Sequence, residues 1–411
     1  MPYPKLCDLT IEWGLIAILI FTPLAWGTVE VWSISVVHFI TLIMFTSWLF
    51  RMNLEGRIGF TRTPLDYPIL AFLALAVVST IFSVYCHDSI LELYRIINYI
   101  LIYYLVVNNI NTREKIRRTA FVIISVGSLL SIIGLIHYLV GLTDRSTHFL
   151  LSTYVNHNHI AGYLELAIPL SIGMLLMLKD KGKKMILAYC AIIMVVALVL
   201  TMSRGGWAAF LGSLLVIGVL LGKREFYHKR LLTALSFVLV IGFIIAIIGT
   251  NPLTKRFATF QDIADDPMGH DFRIRRCLAT LEIIKDHPVI GTGIGTFVTA
   301  FPRYRLPGLD GLQVYTHNDY LQVVSEMGVL VLGIIIWLVF GTLRTGFKTF
   351  LRTRSTLKQG ITLGATAGIV AIVIHSFVDF NLHIPANAIL FTVLAAIIQA
   401  QRSIAHPVIK R

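Results

Sequence analysis

Apolar runs close to 20 residues long, separated by short polar segments, recur along this chain from end to end. That is about the length an α-helix needs to cross the hydrocarbon core of a bilayer. The pattern predicts crossing helices over 11–29, 32–50, 66–85, 91–108, 118–141, 160–178, 184–202, 206–222, 231–249, 319–343, 360–379 and 387–401. The first run has no basic leader and no small-residue cleavage site behind it, so it reads as a permanent helix rather than a removed signal. Only the segment 250–318 is polar enough to form a sizeable structure outside the bilayer. Within it, Ile274, Leu278, Leu281 and Ile284 recur at helical spacing and predict an amphipathic helix over 272–286. The expected fold is all-α: one polytopic integral membrane domain over 1–411, with about 12 transmembrane helices and one large loop at 250–318.

Charge placement orients this bundle. Arg51, Arg57 and Arg62 fall between the second and third helices, and Arg113, Lys115, Arg117 and Arg118 between the fourth and fifth. Lys179, Lys181, Lys183 and Lys184 follow, then Lys223, Arg224, Lys229 and Arg230, then Lys348, Arg352, Arg354 and Lys358. With twelve crossings all of these share one side, which the positive-inside rule makes cytoplasmic, together with both termini. The opposite side is poor in Lys and Arg except for Arg145, Arg204 and a cluster in 250–318 that includes Arg273, Arg275 and Arg276. Long loops translocate largely regardless of charge, so the cluster leaves the topology intact and asks for another purpose.

Composition agrees with this reading. The 411 residues are 56% hydrophobic and 14% charged, against roughly 25% charged in a typical soluble domain. The net charge of +13 is explained by the basic cytoplasmic loops, so a nucleic-acid partner is set aside. The four cysteines, Cys7, Cys86, Cys190 and Cys277, show no metal-binding spacing. Cys86 and Cys277 both fall on the external side, and their pairing stays open.

Polar and ionisable residues at membrane depth are functional candidates because they are costly there. Most of those in this chain gather at the external ends of helices. Tyr154-Val-Asn-His-Asn-His159 opens the sixth helix, which carries Glu165; Ser203-Arg-Gly-Gly206 forms a tight external turn. Tyr315-Thr-His-Asn-Asp-Tyr320 opens the tenth helix, with Glu326 two turns further along, and His375-Ser-Phe-Val-Asp379 ends the eleventh. Arg204, held by the turn at the interface, suits a phosphate through its planar fork of donors. A snorkelling arginine on lipid headgroups is the competing structural reading. An imidazole can take a proton from an alcohol, which makes His317 a candidate base; an interfacial structural histidine is its competing reading. His157 and His159 alternate as metal ligands can, but no third ligand stands at useful spacing. Gly291-Thr-Gly-Ile-Gly295 follows no strand of a βαβ unit, so it reads as a flexible loop near the membrane surface rather than a nucleotide cradle. Arginines and a histidine outside the membrane favour an anionic, pre-activated substrate such as a lipid diphosphate.

Three motifs carry a resemblance to a known family: Ser203-Arg-Gly-Gly-Trp207; Arg273 standing fifteen residues before Pro288; and His317-Asn-Asp-Tyr-Leu-Gln322 with Glu326-Met-Gly328. In order and spacing they resemble the O-antigen ligase and polymerase superfamily of bacterial membrane glycosyltransferases, over residues 150–390. The resemblance implies that Arg204 and Arg273 bind a diphosphate, and that His317 is the general base of an inverting, metal-independent transfer requiring no cofactor. Arg276, Asn318, Asp319, Asn156, His157 and Asp379 are expected around the substrates. The implied donor is an undecaprenyl-diphosphate-linked glycan. The implied acceptor is lipid A–core for a ligase, the preferred reading, or another lipid-linked glycan for a polymerase. The site would face the periplasm from the bacterial inner membrane, in contact with membrane lipids. Cys277 departs from the pattern, since many members carry tryptophan four residues after the arginine. A polysaccharide transporter or flippase is the rival class, and midplane sites on broken helices would distinguish it.

Overall fold

The structure, a computed structural model, describes residues 3–56, 59–141, 149–222, 272–307, 309, 311 and 314–405. The helix expected over 231–249, the start of the large loop and Arg145 lie outside the described residues. Fourteen α-helices are present among the described residues, and no strand. They are α1 Tyr3–Leu24, α2 Val31–Glu55, α3 Asp66–Ile81, α4 Cys86–Asn109, α5 Arg113–Val140, α6 His157–Met177 and α7 Lys181–Leu200. The remainder are α8 Arg204–Leu220, α9 Phe272–Asp286, α10 Phe297–Ala300, α11 Asp319–Met327, α12 Leu330–Arg352, α13 Thr356–His375 and α14 Pro385–Ala405. Eight of them, α1, α2, α4 to α7, α12 and α13, are long and apolar enough to cross a bilayer; α3 and α8 are apolar but shorter. The chain is thus an all-α, multi-pass membrane protein.

The centre of the bundle is the α6–α13 pair, because small residues let the two backbones touch. A Cβ on Gly364 would stand 2.4 Å from the Pro169 carbonyl oxygen, and one on Gly173 would stand 2.4 Å from that of Gly360. Close packing of this kind takes the place of the hydrophobic effect between helices in lipid. Around this pair the outer helices turn large apolar side chains outward, including Phe39 on α2 and Ile336 and Phe340 on α12. The basic residues between helices gather at one end of the bundle. There Arg118 Nη1 donates to the buried Glu12 at 2.6 Å, Arg51 pairs with Asp8, and Lys358 caps the Gln401 carbonyl. The motifs of the candidate site all lie at the other end.

Three departures from the expected helices matter for that end. The run 319–343 is two helices, broken at Gly328, whose φ of 78° and ψ of 170° are open only to glycine. A Cβ there would lie 2.0 Å from the Val289 carbonyl oxygen. The break arises because the 291–296 turn docks on the end of α11. Thr292 N donates to Ser325 O at 2.9 Å, Gly293 N to Glu326 O at 3.0 Å, and Glu326 Oε2 accepts from Gly295 N at 2.8 Å. The glycine-rich segment is therefore a buried wedge, not a loop lying on the membrane. It is also tied to the α3–α4 turn, where Val84 N donates to Thr292 O at 2.9 Å and Ser89 Oγ to Ile294 O at 2.7 Å. Second, α13 stops at His375, so Asp379 sits in the link to α14 rather than on a helix. Third, α9 occupies the expected 272–286 span but buries Ala279, Thr280 and Ile283, while Leu278 and Leu281 remain exposed. The small face is the one that fits, because Phe297 and Phe301 fill the space against it.

Candidate active site

Three helices begin at this end with a capping side chain. Asn156 Oδ1 accepts from Asn158 N at 2.8 Å, Ser203 Oγ from Gly206 N at 3.2 Å, and Asn318 Oδ1 from Leu321 N at 3.0 Å. Each start places backbone N–H groups and a positive dipole end toward the site, a setting that favours anions. Asn156 and Asn318, both expected near substrate, thus also begin α6 and α11. Asn318 Nδ2 further donates to Phe377 O at 2.9 Å, which ties the start of α11 to the link after α13.

That link, residues 376–382, is bonded by Arg273, His317, Asn318 and Asp319. Arg273 Nη1, near the start of α9, donates to Val378 O at 3.5 Å. Arg204 opens α8, and its neighbour Gly205 is pressed onto the same region. A Cβ on Gly205 would stand 2.7 Å from His375 Nε2 and 2.8 Å from Val378 Cγ2. The next residue, Asp379, accepts from His317 Nδ1 at 3.1 Å and from Phe380 N at 2.9 Å, both through Oδ1. Arg273 and His317 come from separate stretches of sequence, yet both bond this one short segment, and Gly205, the neighbour of Arg204, packs against it. Arg276 lies one turn along α9 from Arg273 and is half-buried; Arg275 turns away to bond Pro307 O at 2.8 Å. His157 is set back beside α7, its Nδ1 2.8 Å from Thr201 O and its ring against Phe149.

The His317–Asp379 pair has the geometry of a base and its orienting carboxylate. Asp379 is fully buried, whereas the His317 side chain keeps 16% exposure. Burial alone would raise the Asp379 carboxyl, but the His317 hydrogen bond and the nearby Arg273 charge hold it well below the usual carboxylate range. An ionised Asp379 accepts the Nδ1 proton of His317, which leaves Nε2 with a lone pair. His317 itself has a φ of 62°, in the left-handed region that few non-glycine residues adopt. The strain is held on both sides: Thr316 N donates to Gln322 Oε1 at 3.1 Å, and Asn318 caps the helix that follows. The ring meets Phe380 edge-on, with centroids 4.8 Å apart.

Asp319 is placed differently from expectation. Its carboxylate accepts from Ser376 Oγ at 2.8 Å and Leu382 N at 3.2 Å, and it holds His383 Nδ1 at 2.6 Å. It therefore clamps α11 to the α13–α14 link. Burial alone would lower the His383 pKa, but the Asp319 hydrogen bond and charge raise it to about 9. A third pair, His375 Nδ1 to Glu165 at 3.0 Å, is buried between α6 and α13. Glu326, the anchor of the glycine wedge, is buried, and burial pushes its carboxyl up to about 7. Cys277 points its sulfur at Thr316 O, and it and Cys86 are both thiols. Sequence reasoning passed over Glu92 and Arg95 on α4, whose 2.8 Å ion pair faces the same end. The available signal was an acid and a base one turn apart inside an apolar run.

A search of curated proteins finds no match to this chain. A family model described as O-Antigen ligase matches residues 189–338. The matched stretch runs from within α7 into α12 and includes Arg204, Arg273 and His317, while Asp379 lies beyond it. Residues 189–338 of this all-α membrane bundle are thus similar to the O-antigen ligase family.

Proposed function

We propose that this protein transfers a glycan from undecaprenyl diphosphate to a hydroxyl of lipid A–core, at the periplasmic face of the bacterial inner membrane. The observation that carries the reading is the His317–Asp379 pair, with an ionised carboxylate on Nδ1 and Arg273 bonded to the neighbouring Val378 O. In the proposed step the acceptor hydroxyl oxygen attacks the anomeric carbon. The bond from that carbon to the diphosphate oxygen breaks, and its electron pair leaves with the polyprenyl diphosphate. The hydroxyl proton passes to His317 Nε2, and Asp379 stabilises the resulting imidazolium. Arg204 and Arg273 neutralise charge developing on the leaving group. Attack opposite the leaving group gives inversion.

The arginines and the histidine serve different halves of this reaction, which makes it testable. In purified protein, His317→Ala should abolish transfer while donor binding is retained; Arg204→Ala and Arg273→Ala should weaken donor binding as well as turnover. A His317→Ala protein that transfers glycan at near wild-type rate would sink the base assignment. The acceptor is tested by the glycan profile of a deletion strain. Glycan missing from lipid A–core, with long lipid-linked chains retained, supports the ligase reading; single repeat units alone would replace it with a polymerase.

A further inference from the structure

Beside the site, α3, α4, α11, α12, α13 and α14 enclose a cavity of ≈ 290 Å³. Its depth is lined by apolar side chains such as Phe72, Ile96, Val339, Phe391 and Ala395. On α4 the lining runs from Glu92 to Tyr103, about 16 Å along the helix axis at 1.5 Å per residue. That is roughly half the thickness of a bilayer core. A void of this size and lining, with its polar residues gathered at one end, suits a hydrocarbon chain better than water, which needs polar partners.

The polar end of the cavity has a definite chemistry. Glu92, Asp319, Glu326 and His383 line it, and Arg95 is bonded to Glu92. Both cations are already paired with carboxylates, Arg95 with Glu92 and His383 with Asp319. A diphosphate placed there would have to compete with those carboxylates, whereas hydroxyl groups would find acceptors. The arginines that suit a diphosphate are outside the cavity lining: Arg273 on α9 bonds Val378 O, and Arg204 opens α8 beside Gly205, which packs on Val378. A stack of rings separates the two regions. His383 lies 5.5 Å from Tyr315, Tyr315 stacks on Phe380 at 4.2 Å, and Phe380 meets His317 at 4.8 Å. Phe380 thus touches His317 on one side and Tyr315 on the other, and Tyr315 leads to His383 at the rim of the slot.

We infer that this cavity holds one hydrocarbon chain of the acceptor lipid, with the hydroxyl-bearing, uncharged part of its head at the Glu92–His383 end. The inference rests on the glycosyl-transfer reading above. It assigns the arginine side to the donor and the α4–α12–α14 slot to the acceptor.

The test uses the full chain in lipid nanodiscs and two photoreactive probes, an alkyl maltoside with a diazirine at its chain end and a polyprenyl phosphate with the same group. The maltoside probe should label the cavity wall near Thr342 and Thr392 in preference to lipid-facing Phe340 on the same bundle. Val339→Phe and Ala395→Phe, two independent fillings of the slot, should each cut that labelling at least tenfold. Both should raise the acceptor KM by a similar factor and leave the donor KM unchanged, with melting curves confirming that at least one variant folds. Equal labelling of Phe340 and Thr342 would mean bulk lipid only. Cavity labelling by the polyprenyl phosphate, lost in both variants with a raised donor KM, would give the slot to the donor. Either result overturns the inference. Labelling needs no turnover, so the two readings fail separately: absence of transfer by the wild type sinks the functional reading and its acceptor assignment, whereas failed labelling with intact transfer sinks the cavity inference alone.

Discussion

Replacing Asp379 by Asn tests the proposed chemistry at its least visible part. The substitution keeps shape and volume but removes the charge that faces His317 Nδ1 at 3.1 Å. At an effective dielectric constant near 20, unit charges at that separation attract by about 5 kcal/mol, an upper bound on what Asp379 gives the imidazolium. Each 1.36 kcal/mol is a factor of ten in rate, so the bound corresponds to about 10⁴-fold in kcat. General-base help is itself typically worth about 10²–10⁴-fold, so the expected loss lies in that range. A second effect adds to the first. The amide of the replacement side chain can present N–H₂ to His317 Nδ1, which moves the ring proton to Nε2 and removes the lone pair needed for the acceptor. The assay is the initial rate of glycan transfer by purified protein in nanodiscs at saturating donor. Donor affinity should change less than kcat, because the Arg273 guanidinium that feels the Asp379 charge is also held by Val378 O. A kcat within about threefold of wild type, in a background where His317→Ala is inactive, would refute the orienting role given to Asp379, since an effect that small is far below the general-base range.

Two further predictions concern the frame. Gly328→Ala should cost more than about 3 kcal/mol, because it combines a backbone region worth 1–3 kcal/mol of strain with a Cβ 2.0 Å from a carbonyl oxygen. Gly333→Ala, on the exposed face of α12 with nothing within 4 Å, should leave the melting temperature nearly unchanged and serves as the control. The His383–Asp319 clamp should show in the alkaline stability limb. The folded pKa of about 9 lies above the ordinary 6.5, so its stabilisation is fully present below 6.5 and drains away as pH rises through 9. At 1.36 kcal/mol per unit the full effect is about 3 kcal/mol. His383→Gln should flatten the fall in melting temperature between pH 6 and pH 10, and a wild-type slope equal to the variant's would rule the clamp out as its source.

The bundle was legible in the sequence because the rule behind it is simple. A helix in lipid satisfies its own backbone, so length and apolarity are enough to mark it. Positions that break a helix were less legible where tertiary contacts impose the break. The apolar run 319–343 reads as continuous, and its division at Gly328 follows from Val289 and the glycine wedge, which come from elsewhere in the chain. Similarly, α9 was marked by its spacing of Ile and Leu, but the face it buries was set by Phe297 and Phe301, whose positions sequence periodicity does not carry.

The site shows the same division. Arg204, Arg273 and His317 were marked by residue type and placement at the polar ends of helices, and Asp379 and Asp319 were marked beside them, but not the partner that each carboxylate takes. Asp379 reads as the end of a helix and Asp319 as a neighbour of the histidine. Only folding shows that the first orients His317 and the second holds His383, sixty-four residues away. Exchanging these two roles on paper would look equally good in sequence, because Asp319 is close to His317 and Asp379 is distant. The difference lies in free capacity. Asp319 engages three groups with its two oxygens, so its charge is spent on fixing α11 to the link. Asp379 directs one oxygen at the histidine, and its charge remains available to answer a proton arriving on the ring. This is why Asp379→Asn should act on turnover, whereas loss of the Asp319 clamp should act first on stability.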